Sequence, residues 1–102
     1  MAALAGKVAL ISGAANGQGL ADAAAFVREG AAVMLTDIDS AAGEALAGRL
    51  RADGGRALFR RHDVADEGGW QEAVAAAVAE FGGLHILVNN AGTIARQGIV
   101  ET

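Results

Sequence analysis

The run Lys7-Val-Ala-Leu-Ile-Ser12 ends directly in Gly13-Ala-Ala-Asn-Gly17-Gln-Gly19, and a helical pattern opens immediately behind it. This junction constrains the fold more than any other feature. A short, continuously apolar run suits a strand buried on both faces, and such strands belong to parallel sheets covered by helices. Glycines at a strand-to-helix turn permit a tight reversal and let backbone N–H groups approach a pyrophosphate. The N-terminus of the following helix adds partial positive charge for phosphates. The spacing is Gly-x-x-x-Gly-x-Gly, and no Gly-Lys-Ser/Thr follows. A P-loop reading therefore has little support.

The strand–turn–helix pattern then repeats. Residues 17–29 read as a helix, with Leu20, Ala23, Ala24 and Val27 at helical spacing and Gly30 placed as its C′ stop. Ala32–Thr36 is a second strand with Asp37 at its C-terminal end, and Ser40 is a candidate N-cap for a helix running to about Ala52. Leu46 and Leu50 share one face of that helix, and Gly54-Gly55 ends it. Residues 56–62 form a third strand of mixed polarity, which suits a place near a sheet edge. Asp66 is a candidate cap for a third helix, whose apolar stripe is Trp70, Ala73, Val74, Ala77, Val78 and Phe81. Gly82-Gly83 stops it, and Leu84–Val88 is a fourth strand followed by Asn89-Asn90-Ala91-Gly92. The expectation is an α/β fold: a Rossmann-type doubly wound parallel sheet, with four strands and three helices over residues 1–102. Residues 93–102 carry no strong pattern.

Composition narrows the partners. The chain of 102 residues is 53% hydrophobic and 20% charged, which describes a globular core and not a disordered segment. A net charge of −4 offers no electrostatic attraction for nucleic acid or an anionic membrane surface. With no cysteine, disulfides and thiolate metal sites are excluded, and no other cluster has metal-ligand spacing. No export signal or apolar span of membrane length is present, so the cytoplasm is the expected compartment.

Asp37 stands 18 positions after Gly19, at the end of the next strand. A carboxylate there accepts from both ribose hydroxyls of an adenosine and repels a 2′-phosphate. Asn16 and Ile38 occupy positions where a cation would hold that phosphate, so NAD is favoured over NADP. The plainer alternative is that Asp37 only begins the turn into the second helix together with Asp39. For Arg60-Arg61 the expectation is a solvated pair, and for Trp70 a core residue or a helix-packing anchor.

Ser12-Gly-Ala-Ala-Asn-Gly-Gln-Gly19 resembles the Thr-Gly-x-x-x-Gly-x-Gly cofactor motif of the short-chain dehydrogenases/reductases. His62-Asp63-Val64 after the third strand and Asn89-Asn90-Ala91-Gly92 after the fourth resemble two further motifs of that family. The resemblance covers essentially the whole chain, and residues 61–102 look most like bacterial hydroxysteroid and related secondary-alcohol dehydrogenases. It implies that Gly13, Gly17 and Gly19 line the pyrophosphate turn, with backbone contacts from Asn16 and Gln18. It implies that Asp37 binds the ribose, Asp63 the adenine amino group, and Val64 the adenine surroundings. Asn90, Ala91 and Gly92 would run toward the nicotinamide ribose, whereas Asn89 would tie neighbouring strands together. Ser12 keeps the hydroxyl of the usual Thr. Gln18 replaces a residue that is commonly hydrophobic, and His85 replaces a common Asp; His85 is expected to be structural.

The resemblance also implies an NAD-dependent oxidoreductase acting on a secondary alcohol or ketone, assembled as a homo-oligomer, a tetramer in the family. Catalysis in the family rests on a Tyr-x-x-x-Lys pair and a Ser downstream of Asn-Asn-Ala-Gly. This chain has no Tyr, and its one Lys is Lys7. No catalytic residue is therefore assigned, and residues 1–102 are expected to be the NAD-binding N-terminal portion of a single Rossmann domain, inactive alone. Two alternatives stay open. One is a truncated, non-catalytic NAD or nucleotide-binding module; the other is an interaction protein whose partner covers the exposed fourth strand.

Overall fold

The computed structural model describes residues 3–15, 17–63 and 67–89, with Glu67 by its backbone alone. Seven elements follow in order: β1 (Val8–Ser12), α1 (Gly17–Arg28), β2 (Ala32–Asp37), α2 (Ser40–Ala52), β3 (Ala57–Arg61), α3 (Glu67–Phe81) and β4 (Ile86–Asn89). The strands form one parallel sheet in the order β3-β2-β1-β4. All four strands and three helices expected from the sequence are present.

Each strand sends alternate side chains to opposite faces. From β1 and β2, Ala9, Ile11, Val33 and Leu35 meet Ala23 of α1 and Leu46, Ala47 and Leu50 of α2. The intervening residues Val8, Leu10, Ala32 and Met34 meet Ala73 and Ala77 of α3 on the other face. The sheet is thus wound on both sides, which is why β1 is buried along its whole length. β3 and β4 are the edges, and their residues are less covered.

The helix ends follow from local chemistry, with some corrections to the sequence expectation. Ser40 is not the cap of α2 but its first residue. Asp39 is the N-cap, its backbone extended and its carboxylate accepting from Ala42 N at 3.1 Å. Two cap formers stand side by side, and only the one with extended backbone can reach forward to an N3 amide. Gly30, Gly54 and Gly82 take positive φ just beyond the three helices, where a side chain would be strained. The expected cap Asp66 lies outside the described residues. At the fourth strand, Leu84 and His85 precede β4, and Asn89 belongs to it.

Two positions of the expected apolar stripes are exposed. Leu20 lies in the first turn of α1, where a helical side chain leans back toward the helix N-terminus. Val78 stands at the margin of the α3 stripe, about 100° per residue around the helix from its centre line through Ala73 and Ala77.

Candidate functional site

The chain passes from β1 outward to β2 and β3, then returns to place β4 on the other side of β1. At such a switch point the connections leave the carboxyl ends of neighbouring strands in opposite directions, and a crevice opens between them. Gly13, Gly17, Gln18 and Gly19 lie beyond β1, Asp37 ends β2, and Asp63 follows β3. These six residues are therefore gathered along one end of the sheet. Asn16, Val64, Asn90, Ala91 and Gly92 lie outside the described residues.

The three glycines of the turn do different jobs. Gly13 takes φ +63°, the left-handed conformation that reverses the chain after β1. Gly19 is buried, and a methyl group there would overlap Gly13 O and lie 2.8 Å from Ala14 Cα. Its lack of a side chain seats α1 on the turn. Around Gly17 a methyl group would meet nothing within 4 Å among the described residues. Gly17 is exposed at the first position of α1 and leaves an open approach to the helix N-terminus. No acidic residue sits in that first turn to compete with a bound anion. The Gln18 side chain is exposed and donates to Asp22 Oδ1 at 3.1 Å, so it takes no part in packing the turn.

The plainer reading of Asp37 is visible, together with a contact toward the glycine-rich turn. Its Oδ1 accepts from Asp39 N at 2.9 Å, which begins the turn into α2. Its Oδ2 accepts from Ala15 N at 3.0 Å, so the carboxylate also reaches across to the glycine-rich turn. Each carboxylate oxygen keeps acceptor capacity beyond one hydrogen bond. Beside it, Ile38 is 54% exposed. In the sequence Ile38 stands out only as a position lacking a cation. Its signal was an apolar residue directly after the candidate ribose acceptor.

Other polar groups support the frame. Ser12 Oγ donates to Asn89 Oδ1 at 2.9 Å, which ties β1 to β4 as expected for Asn89. His62 is buried, not solvent-facing, with its ring 5.4 Å from that of Trp70. Arg60 pairs with Glu72 at 3.1 Å across to α3, while Arg61 is exposed. His85 Nδ1 accepts from Val8 N at 2.9 Å, at the amino end of β1. That places His85 at the end of the sheet opposite the crevice, in a structural role. Lys7 also precedes β1. Among the described residues no group of His, Cys, Asp or Glu is arranged to hold a metal ion. No helix among them is long and apolar enough to cross a membrane.

The residues present fit a dinucleotide: an open helix N-terminus for phosphates, with a carboxylate at the end of the next strand. This is the arrangement of a Rossmann-type dinucleotide-binding protein. Over residues 7–102 the chain matches the family model described as short chain dehydrogenase, and it belongs to that family.

Relatives agree. The chain is 49% identical over 98 residues to 2,5-dichloro-2,5-cyclohexadiene-1,4-diol dehydrogenase LinX of Sphingobium indicum, covering 96% of this chain and 39% of that one. It is 46% identical over 99 residues to the 3-beta-hydroxysteroid dehydrogenase of Comamonas testosteroni, covering 97% of this chain and 37% of the relative. A crystal structure of a short chain dehydrogenase/reductase from Burkholderia phymatum in complex with NAD is similar at TM-score 0.81 and 36% identity, covering 85% of this chain and 31% of that one. The chain therefore spans well under half the length of these proteins.

Proposed function

We propose that residues 1–102 are the NAD-binding N-terminal portion of a single Rossmann domain, in an oxidoreductase that transfers hydride between NAD and a secondary alcohol or ketone. The observation that carries this reading is the pairing of the open Gly17 approach with the Asp37 carboxylate at the end of the adjacent strand. Gly13, Asn16, Gly17, Gln18 and Gly19 form the pyrophosphate turn. Asp37 accepts from the adenosine ribose hydroxyls, and its charge disfavours a 2′-phosphate. Ile38 covers one face of the adenine, Asp63 meets the adenine amino group, and Val64 completes that pocket. Asn90, Ala91 and Gly92 line the path toward the nicotinamide ribose.

NAD, when bound, supplies the two-electron acceptor or donor for a CH–OH/C=O interconversion. That reaction also needs a group that takes or returns the hydroxyl proton. His85 and Lys7 lie at the far end of the sheet, so neither serves. In the family the proton-transfer Tyr and Lys lie downstream of the Asn-Asn-Ala-Gly motif. The proposal extends to small-molecule alcohol or ketone substrates, a cytoplasmic setting and homo-oligomeric assembly, as the family resemblance implies. The relatives favour a ring-borne hydroxyl, as on a hydroxysteroid or a cyclohexadiene diol.

Calorimetric titration of NAD and NADP against the protein and its Asp37→Ala variant tests the reading. Loss of a charge-assisted acceptor should weaken NAD by about tenfold or more and narrow the preference over NADP. Unchanged affinity for both cofactors would remove the ribose assignment.

A further inference from the structure

The amides of the glycine-rich turn are not all left for a ligand. Ala14 N donates to Thr36 O at 3.1 Å, and Ala15 N donates to Asp37 Oδ2 at 3.0 Å. Two successive amides of the turn are thus held by two successive residues at the end of β2. One acceptor is a backbone carbonyl that every residue type possesses. The other is a side-chain carboxylate, and its two oxygens let it accept from two amides at once. The same carboxylate holds Asp39 N at 2.9 Å, so it is fixed from two sides. The amides at the start of α1 have no helical carbonyl before them. A phosphate at this end would meet them as donors.

We infer that Asp37 is a positioning residue for the glycine-rich turn as well as a ribose acceptor: its carboxylate clamps Ala15 and sets the shape of the turn before any cofactor arrives. Only the consequence for binding rests on the proposed function, since the clamp stands on contacts made without a ligand. With both oxygens already accepting one N–H each, each keeps acceptor capacity for a ribose hydroxyl, and one carboxylate serves both subsites. Removing it therefore loosens the pyrophosphate turn at the same time as it frees space for a 2′-phosphate. A change of cofactor preference made by deleting Asp37 carries a loss of grip on the phosphates that all cofactors share.

Amide hydrogen exchange measured by NMR on the cofactor-free protein decides the matter. In Asp37→Ala the Ala15 amide should exchange about tenfold faster or more, as expected for loss of a bond to a charged acceptor. The Ala14 amide, held by the Thr36 carbonyl, should stay within about twofold of wild type. An Ala15 amide that also stays within that range overturns the inference. If Asp37→Ala loses protection throughout the sheet, Asp37→Asn carries the test. Its amide nitrogen cannot accept, so either Ala15 or Asp39 must lose protection, and retention of both overturns the inference.

A second readout uses an NAD analogue with a 2′,3′-dideoxyribose on its adenosine side. The clamp requires Asp37→Ala to weaken this analogue by about threefold or more, through lost preorganisation. Equal affinity in both proteins reduces Asp37 to a hydroxyl acceptor and overturns the inference. The failures are separable. A wild-type protein that binds no NAD sinks the proposed function and leaves the exchange result standing; NAD binding with an unmoved Ala15 amide does the reverse.

Discussion

Ser12 Oγ donates to Asn89 Oδ1 at 2.9 Å, so the last residue of β1 is joined to the last residue of β4 directly beneath the crevice. Parallel strands at a switch point diverge into separate connections, and a side-chain tie keeps their ends in register. Ser12→Ala should lower stability by about 1 kcal/mol, the net worth of one such bond. A double-mutant cycle with Asn89→Ala in urea should return a coupling energy of similar size. Additive losses would mean that the two side chains do not act as a pair.

At the opposite end of the sheet, His85 holds the Val8 amide. His85→Ala leaves that donor without its acceptor and should lower stability by about 1 kcal/mol. His85→Asp keeps an acceptor on a shorter side chain and should recover most of the loss. Thermal unfolding of the three proteins checks this, and equal midpoints would show the contact to be energetically idle.

Thr36 points into the α3 side of the sheet with no accessible surface, and among the described residues its Oγ1 has no hydrogen-bond partner. A buried hydroxyl without a partner costs more than it returns. Thr36→Val keeps the shape and removes the hydroxyl, so stability should rise by about 1 kcal/mol. A fall on chemical denaturation would indicate that the hydroxyl is satisfied by a bound water.

Much of this fold was legible before the structure because local signals agreed with one another. The uninterrupted apolar β1, the glycine stops at Gly30, Gly54 and Gly82, and the small-residue stripe through Ala73 and Ala77 each report a strictly local requirement. The failures have a common cause. Leu20 satisfies the helical spacing, but spacing cannot say how much of the core reaches the first turn of α1. Asp39 and Ser40 are both good cap formers, and only the backbone angle separates them. At the site, the glycines and Asp37 announce themselves by type and position. The bond from Ala15 to Asp37 does not, because it joins residues 22 apart through strand neighbours that only the folded sheet brings together.

The different jobs of Gly17 and Gly19 give a sharper test of the site than removal of either alone. A methyl group at Gly19 collides with backbone of Gly13 and Ala14, which cannot swing away as a side-chain tip would. Gly19→Ala should therefore destabilise the protein by about 1–3 kcal/mol, the usual range for overpacking, and lose NAD binding with it. Among the described residues a methyl group at Gly17 meets nothing within 4 Å, so Gly17→Ala should leave the fold intact and can raise helix stability by up to about 1 kcal/mol. That same methyl group occupies the approach to the helix N-terminus. NAD affinity should fall by about tenfold, equivalent to 1.4 kcal/mol, in a protein that melts no earlier than wild type. Circular dichroism and calorimetry on the two variants separate the effects. Full NAD affinity in a well-folded Gly17→Ala protein would mean that the phosphates do not pass over Gly17, and the pyrophosphate site would have to be moved along the turn.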